Sequence, residues 1–311
     1  MPSDSAHSPR IVILGTGGTI AGSGDNVGYA AGQLSVDDLL RAVPALAGRA
    51  LEAEQVAQLD SKDMDHATWQ LLASRAAHHL ARPEVAGVVV THGTDTLEET
   101  AWFLQRVLAP AKPLVLTASM RPATSLQPDG PQNLLDAVTL AAEPGARGVL
   151  VAVAGEVHAA ADVRKTQPFR IDAFSSGDAP VLASVREGRV LPWRAWPTGE
   201  ALGLARVEGP VQDWPRVGVV CSHAGVEPVV VEALVAAGYR GLVVEGTGNG
   251  TLHRGLDAAL RAAAARGVTV WRASRCQGGA IVGQPEGAWP SAGGLTPAKA
   301  RVELLLQLLA A

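Results

Sequence analysis

The sequence predicts an α/β protein of two domains, with a larger N-terminal domain built on a parallel sheet and a smaller C-terminal α/β domain. Three observations lead there. Short apolar runs alternate with amphipathic helical stretches through most of the chain, which is the pattern of successive βα units. At 311 residues the chain is long for a single hydrophobic core. A stretch rich in proline and tryptophan, residues 179–215, lacks either period and separates two regions where the alternation is regular. The expected organisation is a catalytic α/β domain over residues 1–185, a surface linker over 186–214 and the smaller domain over 215–311.

Taken in order, strands are expected at residues 11–14, 55–59, 88–91, 114–117 and 149–153, with helices starting near Ser35, Asp65, Thr96 and Pro131. Ser35 and Asp65 carry side-chain oxygens that can cap the open amides of a first turn, and proline suits a first helical position. Past the linker, strands at 217–221, 242–245 and 268–271 alternate with helices over 228–237 and 251–265. A last helix opens at Thr296-Pro297 and carries Leu304, Leu305, Leu306, Leu308 and Leu309.

A composition of 47% hydrophobic and 18% charged residues points to extensive burial and against disorder. The net charge of -4, without a long like-charge run, leaves no electrostatic footprint for nucleic acid or an anionic membrane. A small-molecule partner is expected. MPSDSAHSPR at the start lacks the charged and apolar regions of a secretory signal, and no apolar run reaches the length of a membrane span, so a cytoplasmic location is expected. Cys221 and Cys276 lack metal-ligand spacing and are expected to be buried structural thiols. Neither a metal nor a cofactor is expected.

In open parallel sheets ligands sit beyond the carboxyl ends of the strands, which directs attention to the loops that follow them. The first reads IVILGTGGTIAG, residues 11–22. Its glycines fit neither phosphate-binding pattern: Ile20 stands where a dinucleotide fingerprint needs its third glycine, and no lysine completes a P-loop. What remains is Thr19, a hydroxyl on a backbone made compact by Gly17 and Gly18, followed by a glycine-rich stretch that reaches Tyr29 and has the composition of a lid. The second loop, VVVTHGTDTLEETA, brings Thr91, His92, Gly93, Thr94, Asp95 and Thr96 to another strand end, so a hydroxyl and a carboxylate face one pocket. A helix cap alone would not call for that whole string.

TGGTIAG at 16–22 and THGTDTLEETA at 91–101 resemble the two signature motifs of the bacterial-type L-asparaginases, the glutaminase-asparaginase family. DSKDM, ASMRP, DGPQNL, DVRKT, GTGNG and LTPAKAR also resemble family segments in the family's order, so the resemblance runs over essentially the whole chain. It implies a flavodoxin-like larger domain and the hydrolysis of L-asparagine through a covalent acyl-enzyme, with a secondary activity on L-glutamine. Thr19 is then the nucleophile, helped by Tyr29 and by the set Thr94, Asp95 and Lys165. Ser61 matches a carboxylate-binding serine, Asp95 would hold the α-ammonium, and Ser119 would help to bind the side-chain amide. Asn249 and Glu286 match residues that complete a neighbouring subunit's site, in a homotetramer built from tight dimers. Backbone amides after Thr94 or within 17–19 are the candidate oxyanion donors. Lys62, where many relatives have an uncharged residue, is read as a solvated surface lysine.

Within this class the competing reading is a glutaminase-asparaginase with comparable activity on both amides. A tRNA-dependent amidotransferase subunit would call for an added domain and a basic face. A catalytically dead amino-acid-binding module is opposed by the intact set of hydroxyls, lysine and carboxylate. VVCSHAG, with Ser222 before His223, lacks the first glycine of a nucleophile elbow.

Overall fold

A computed structural model describes residues 9–22 and 34–310 in two compact units, Met1–Leu204 and Ala205–Ala311. The first unit is laid out by five parallel strands: β1 (Arg10–Gly17), β2 (Leu51–Leu59), β3 (Val85–Thr91), β4 (Pro113–Thr117) and β5 (Gly148–Val153). They pair in the order β2-β1-β3-β4-β5. That is the flavodoxin-like arrangement, whose strand order reverses between β1 and β3 and opens a crevice at their carboxyl ends. Both signature threonine loops leave the sheet at this point.

Four helices cross between these strands: α1 (Val36–Arg41), α2 (His66–Leu80), α3 (Leu97–Leu108) and α4 (Gly130–Ala141). Their starts follow the expected chemistry. Ser35 Oγ accepts from the Asp38 amide in a reciprocal capping box, and Asp65 accepts from the Thr68 amide at 2.8 Å. Pro131 stands in the first turn of α4. With helices covering the sheet, β3, β4 and β5 are buried almost throughout, and for this reason they read as unbroken apolar runs instead of alternating ones. Ile13, Val89, Val115 and Leu150 join Leu134, Val138 and Leu140 of α4 in the main core.

The sheet continues past β5 through three antiparallel strands, β6 (Glu156–Ala159), β9 (Ala183–Arg186) and β10 (Arg189–Pro192), in the order β5-β6-β9-β10. A separate two-stranded ribbon pairs β7 (Arg164–Lys165) with β8 (Phe174–Ser175). The stretch read as aperiodic linker therefore includes an edge hairpin. Its turn residues, Glu187 and Gly188, both have positive φ, as do Ala154 and Gly155 between β5 and β6. Such turns match the twist of a hairpin and usually announce themselves by Asn-Gly or Asp-Gly. Here Glu and Ala occupy the first position, so both hairpins escape a reading by composition.

The second unit holds a parallel sheet in the order β11 (Arg216–Cys221), β12 (Tyr239–Gly246), β13 (Thr269–Ser274). On one face, Leu242 and Val244 of β12 pack with Val231 of α5 (Val229–Ala236) and with Leu256 and Leu260 of α6 (Arg254–Ala265). On the other, Val243 meets Ala300 and Leu304 of α7 (Pro297–Leu308), as the two-residue period of a strand requires. Thr296 caps α7 ahead of Pro297. The expectation of buried thiols is corrected: Cys221, at the end of the edge strand β11, and Cys276, in the loop after β13, are both exposed and free.

Candidate active site

Gly17 and Gly18 turn the chain at the end of β1 with φ of 104° and 82°. A Cβ at Gly17 would overlap the Leu59 carbonyl, and one at Gly18 would overlap the backbone of Gly93. Gly93 has the same constraint in turn, since its Cβ would overlap Ser61 Oγ. Three loops after β1, β2 and β3 are thus stacked backbone on backbone, and the Gly18 amide donates to the Leu59 carbonyl at 2.9 Å. This stacking sets Thr19 in a short 3-10 turn, buried to 6% exposure, at the crevice.

Hydrogen bonds lock the second loop from below. Ser61 Oγ accepts from the Asp95 amide at 3.1 Å, and Thr96 Oγ1 donates to the Ser61 carbonyl at 2.7 Å. His92 Nδ1 lies 2.7 Å from the Gly93 carbonyl, which can only accept, so this nitrogen carries the proton. Complete burial pushes His92 down to about 4 and keeps the ring neutral. His92 is therefore a turn lock and not the base of the site.

Thr19, Thr94, Asp95 and Lys165 line one cavity of about 410 Å³. Lys165 Nζ donates to Thr94 Oγ1 at 2.9 Å and to Asp95 Oδ1 at 2.6 Å, placing an amine between a hydroxyl and a carboxylate. The rest of the wall is Met120, Arg121 and Pro122 after β4, Ser125, Leu126 and Gln127 beyond them, and Pro168 and Phe169 after Lys165. The ASMRP motif pointed to this segment, of which Met120, Arg121 and Pro122 line the cavity. The Ser119 hydroxyl donates to the Arg121 carbonyl at 2.9 Å, the residue is fully buried, and with Ile20 and Leu134 it lines a small apolar gap that shares Arg121 with the cavity. DGPQNL explains how the segment is held. The Asp129 carboxylate accepts from the Met120 and Arg121 amides, both at 2.9 Å, and Asn133 bridges the Ala118 carbonyl and the Ala154 amide.

Ser61 is buried against Gly93 at the foot of the loop that carries Thr94 and Asp95; accepting from the Asp95 amide, it keeps its own proton as a donor. Of the backbone amides considered as oxyanion donors, those of Gly18 and Asp95 already donate to Leu59 and Ser61. Lys62 is exposed and paired with Asp60 at 2.5 Å. Tyr29 and the glycine-rich stretch around it lie outside the described residues. Asn249 and Glu286 belong to the second unit and are exposed there. The Asn249 amide is spent on Val282, donating to its carbonyl and accepting from its amide, both at 2.8 Å. Among the described residues no group of three or more His, Cys, Asp or Glu side chains is arranged to hold a metal, and no helix is long and apolar enough to cross a membrane.

Comparison with known proteins places these residues in context. The model of the family "Asparaginase, N-terminal" matches residues 10–196, and that of the "Glutaminase/Asparaginase C-terminal domain" matches residues 216–311. A probable periplasmic L-asparaginase of Haemophilus influenzae is 40% identical over 98% of this chain and 90% of its own. L-asparaginase 2 of Escherichia coli is 37% identical over 96% and 89%, and a glutaminase-asparaginase of Pseudomonas fluorescens 34% over 96% and 86%. The crystal structure of a probable cytoplasmic L-asparaginase from Campylobacter jejuni superposes with a TM-score of 0.92 at 36% identity, covering 98% of this chain and 96% of that one.

Two predictions follow from the packing. Gly18→Ala forces a side chain into a left-handed backbone against Gly93, and is expected to lower the thermal midpoint and to cut turnover by about tenfold or more; an active, equally stable variant would show that the loops need no such approach. Because His92 is held near 4 against 6.5 for a free imidazole, the unfolded chain binds more protons between these values. Its stabilising contribution, at most roughly 3 kcal/mol, is complete above pH 6.5 and is lost as pH falls toward 4. The thermal midpoint is expected to drop between pH 7 and pH 5, and less steeply in His92→Gln.

Proposed function

The chain belongs to the asparaginase family of amidohydrolases, and from that premise we propose that it hydrolyses L-asparagine to L-aspartate and ammonia with Thr19 as nucleophile. The observation that supports this reading most is the gathering of Thr19, Thr94, Asp95 and Lys165 around one cavity, with Lys165 Nζ bonded to both Thr94 and Asp95.

Thr19 Oγ1 attacks the side-chain amide carbon, the tetrahedral intermediate collapses, and the amide nitrogen leaves as ammonia carrying the proton that the hydroxyl gave up. A hydroxyl needs a proton acceptor at neutral pH. Either Tyr29 or the Thr94–Lys165 pair takes that role. Water then attacks the acyl-enzyme, its oxygen goes to aspartate, and its proton returns to Thr19. Asp95 holds the α-ammonium through a charge-assisted hydrogen bond, and Ser61 donates to the α-carboxylate. No metal or cofactor enters this scheme.

A second reading, comparable activity on L-glutamine, is favoured by the relative named glutaminase-asparaginase. One methylene changes discrimination by only about 1–3 kcal/mol, so a few side chains at the cavity wall decide between the two. The relatives divide on compartment, one being named periplasmic and another cytoplasmic. The homotetramer, with Asn249 and Glu286 reaching a neighbour's site, rests on the family alone.

Ammonia release is expected from L-asparagine, and the ratio of kcat/KM to that for L-glutamine ranks the two readings; silence on both amides would sink them together. Thr19→Ala and Thr94→Ala are each expected to lose about three orders of magnitude in turnover or more with the fold intact. Sedimentation is expected to give a tetramer, and a fully active monomer would refute the shared site.

A further inference from the structure

Lys165 lies on a short ribbon, between Arg164, which is buried, and Thr166, whose amide donates to the Ala173 carbonyl at 2.8 Å. β7 has two residues, its ladder to β8 consists of Arg164 opposite Ser175 and Lys165 opposite Phe174, and neither strand joins the eight-stranded sheet. Two ladder pairs give little rigidity in water. The four-carbon stem of a lysine adds its own freedom. Yet Nζ sits within hydrogen-bond reach of two specific partners on another element.

The main chain of Lys165 adds an anchor to the element that carries those partners. Its backbone amide donates to Glu98 Oε2 at 2.8 Å. Glu98 is in the first turn of α3, the helix that follows directly from the loop carrying Thr94 and Asp95. One carboxylate therefore ties the backbone of Lys165 to the element that carries both side-chain partners of its Nζ. A charge-assisted bond of this kind is about twice as strong as a neutral one. Glu98 is not among the residues that line the cavity, and its carboxylate reaches the Lys165 main chain.

We propose that Glu98 is a positioning residue for amide hydrolysis, fixing where Lys165 Nζ stands against Thr94 Oγ1 and Asp95 Oδ1. This rests on the function proposed above. Glu98 also places negative charge at a helix N-terminus, which stabilises α3 whatever happens at Lys165. Two substitutions separate the roles. Glu98→Gln removes the charge and keeps an acceptor oxygen at the same reach. Glu98→Asp keeps the charge and withdraws the oxygen by one methylene.

The experiment measures kcat, KM and thermal midpoint on L-asparagine for the wild type, Glu98→Gln, Glu98→Asp and Glu98→Ala, alongside Lys165→Met. Glu98→Asp and Glu98→Ala are expected to lose about tenfold or more in kcat with KM changed by less than about threefold, and Glu98→Gln to recover most of the loss. A purely helix-stabilising role predicts the opposite order, with aspartate close to wild type and glutamine impaired, and that order would overturn the proposal. If Lys165→Met is inactive while all three Glu98 variants turn over normally, the positioning role falls and the proposed function stands. If Lys165→Met is fully active, the role given to Lys165 in the proposed function fails instead.

An arm independent of turnover uses the scarcity of lysine, of which the chain has four, Lys62, Lys112, Lys165 and Lys299. Acylation by a small activated ester, read peptide by peptide with Lys62 as internal reference, is expected to label Lys165 several-fold faster in Glu98→Asp and Glu98→Ala than in the wild type or Glu98→Gln. Equal labelling in all four proteins would contradict the anchor.

Discussion

The close approach of three backbone turns at the carboxyl ends of β1, β2 and β3 is the constraint on which the site depends. Gly17 rests on Leu59, Gly18 on Gly93, and Gly93 on Ser61, each at a distance that leaves no room for a Cβ. Two of these glycines also adopt positive φ, which an L side chain enters at a cost of about 1–2 kcal/mol. The parallel sheet dictates that these turns come together, because the strand order reverses between β1 and β3. Glycine decides how closely. The result is that Thr19 and Thr94, 75 positions apart in the chain, line the same cavity.

Around that contact the supporting bonds are mostly side chain to backbone. Ser61 holds Asp95, His92 holds Gly93, Asp129 holds Met120 and Arg121, and Glu98 holds Lys165. Each satisfies a main-chain group that a tight loop leaves without a ladder partner, which is the usual condition for a loop to be both irregular and well placed. The polar residues of the motifs thus divide into a few that face the cavity and a larger number that hold those few in place. Such division is what a preorganised site requires, since a displacement of about 1 Å can cost two orders of magnitude in rate.

Much of the larger unit was legible in the sequence because buried parallel strands read as apolar runs and because Ser35, Asp65 and Pro131 carry their helix starts in their chemistry. The hairpins at Ala154-Gly155 and Glu187-Gly188 were not, since neither has the Asn or Asp that marks such turns. At the site, Thr94, Asp95 and Lys165 are brought together as the motifs implied. In the loop after β4, Met120, Arg121 and Pro122 line the cavity, while the Ser119 hydroxyl donates to the Arg121 carbonyl. The cysteines misled because free cysteine is usually buried, whereas Cys221 ends an edge strand and Cys276 sits in a loop. The Glu98 anchor has no signature at all: it joins residues 67 positions apart through a backbone amide, which no residue-type pattern records.

The central claim is that the hydroxyl seated by the glycine contact carries the acyl group. Acid-quenching the protein during turnover of L-asparagine and mapping the ester by peptide mass spectrometry tests it most directly. The account predicts an aspartyl ester on the peptide containing Thr19, absent from Thr19→Ala and sensitive to hydroxylamine. An ester on Thr94, or sustained ammonia release by Thr19→Ala, would contradict it.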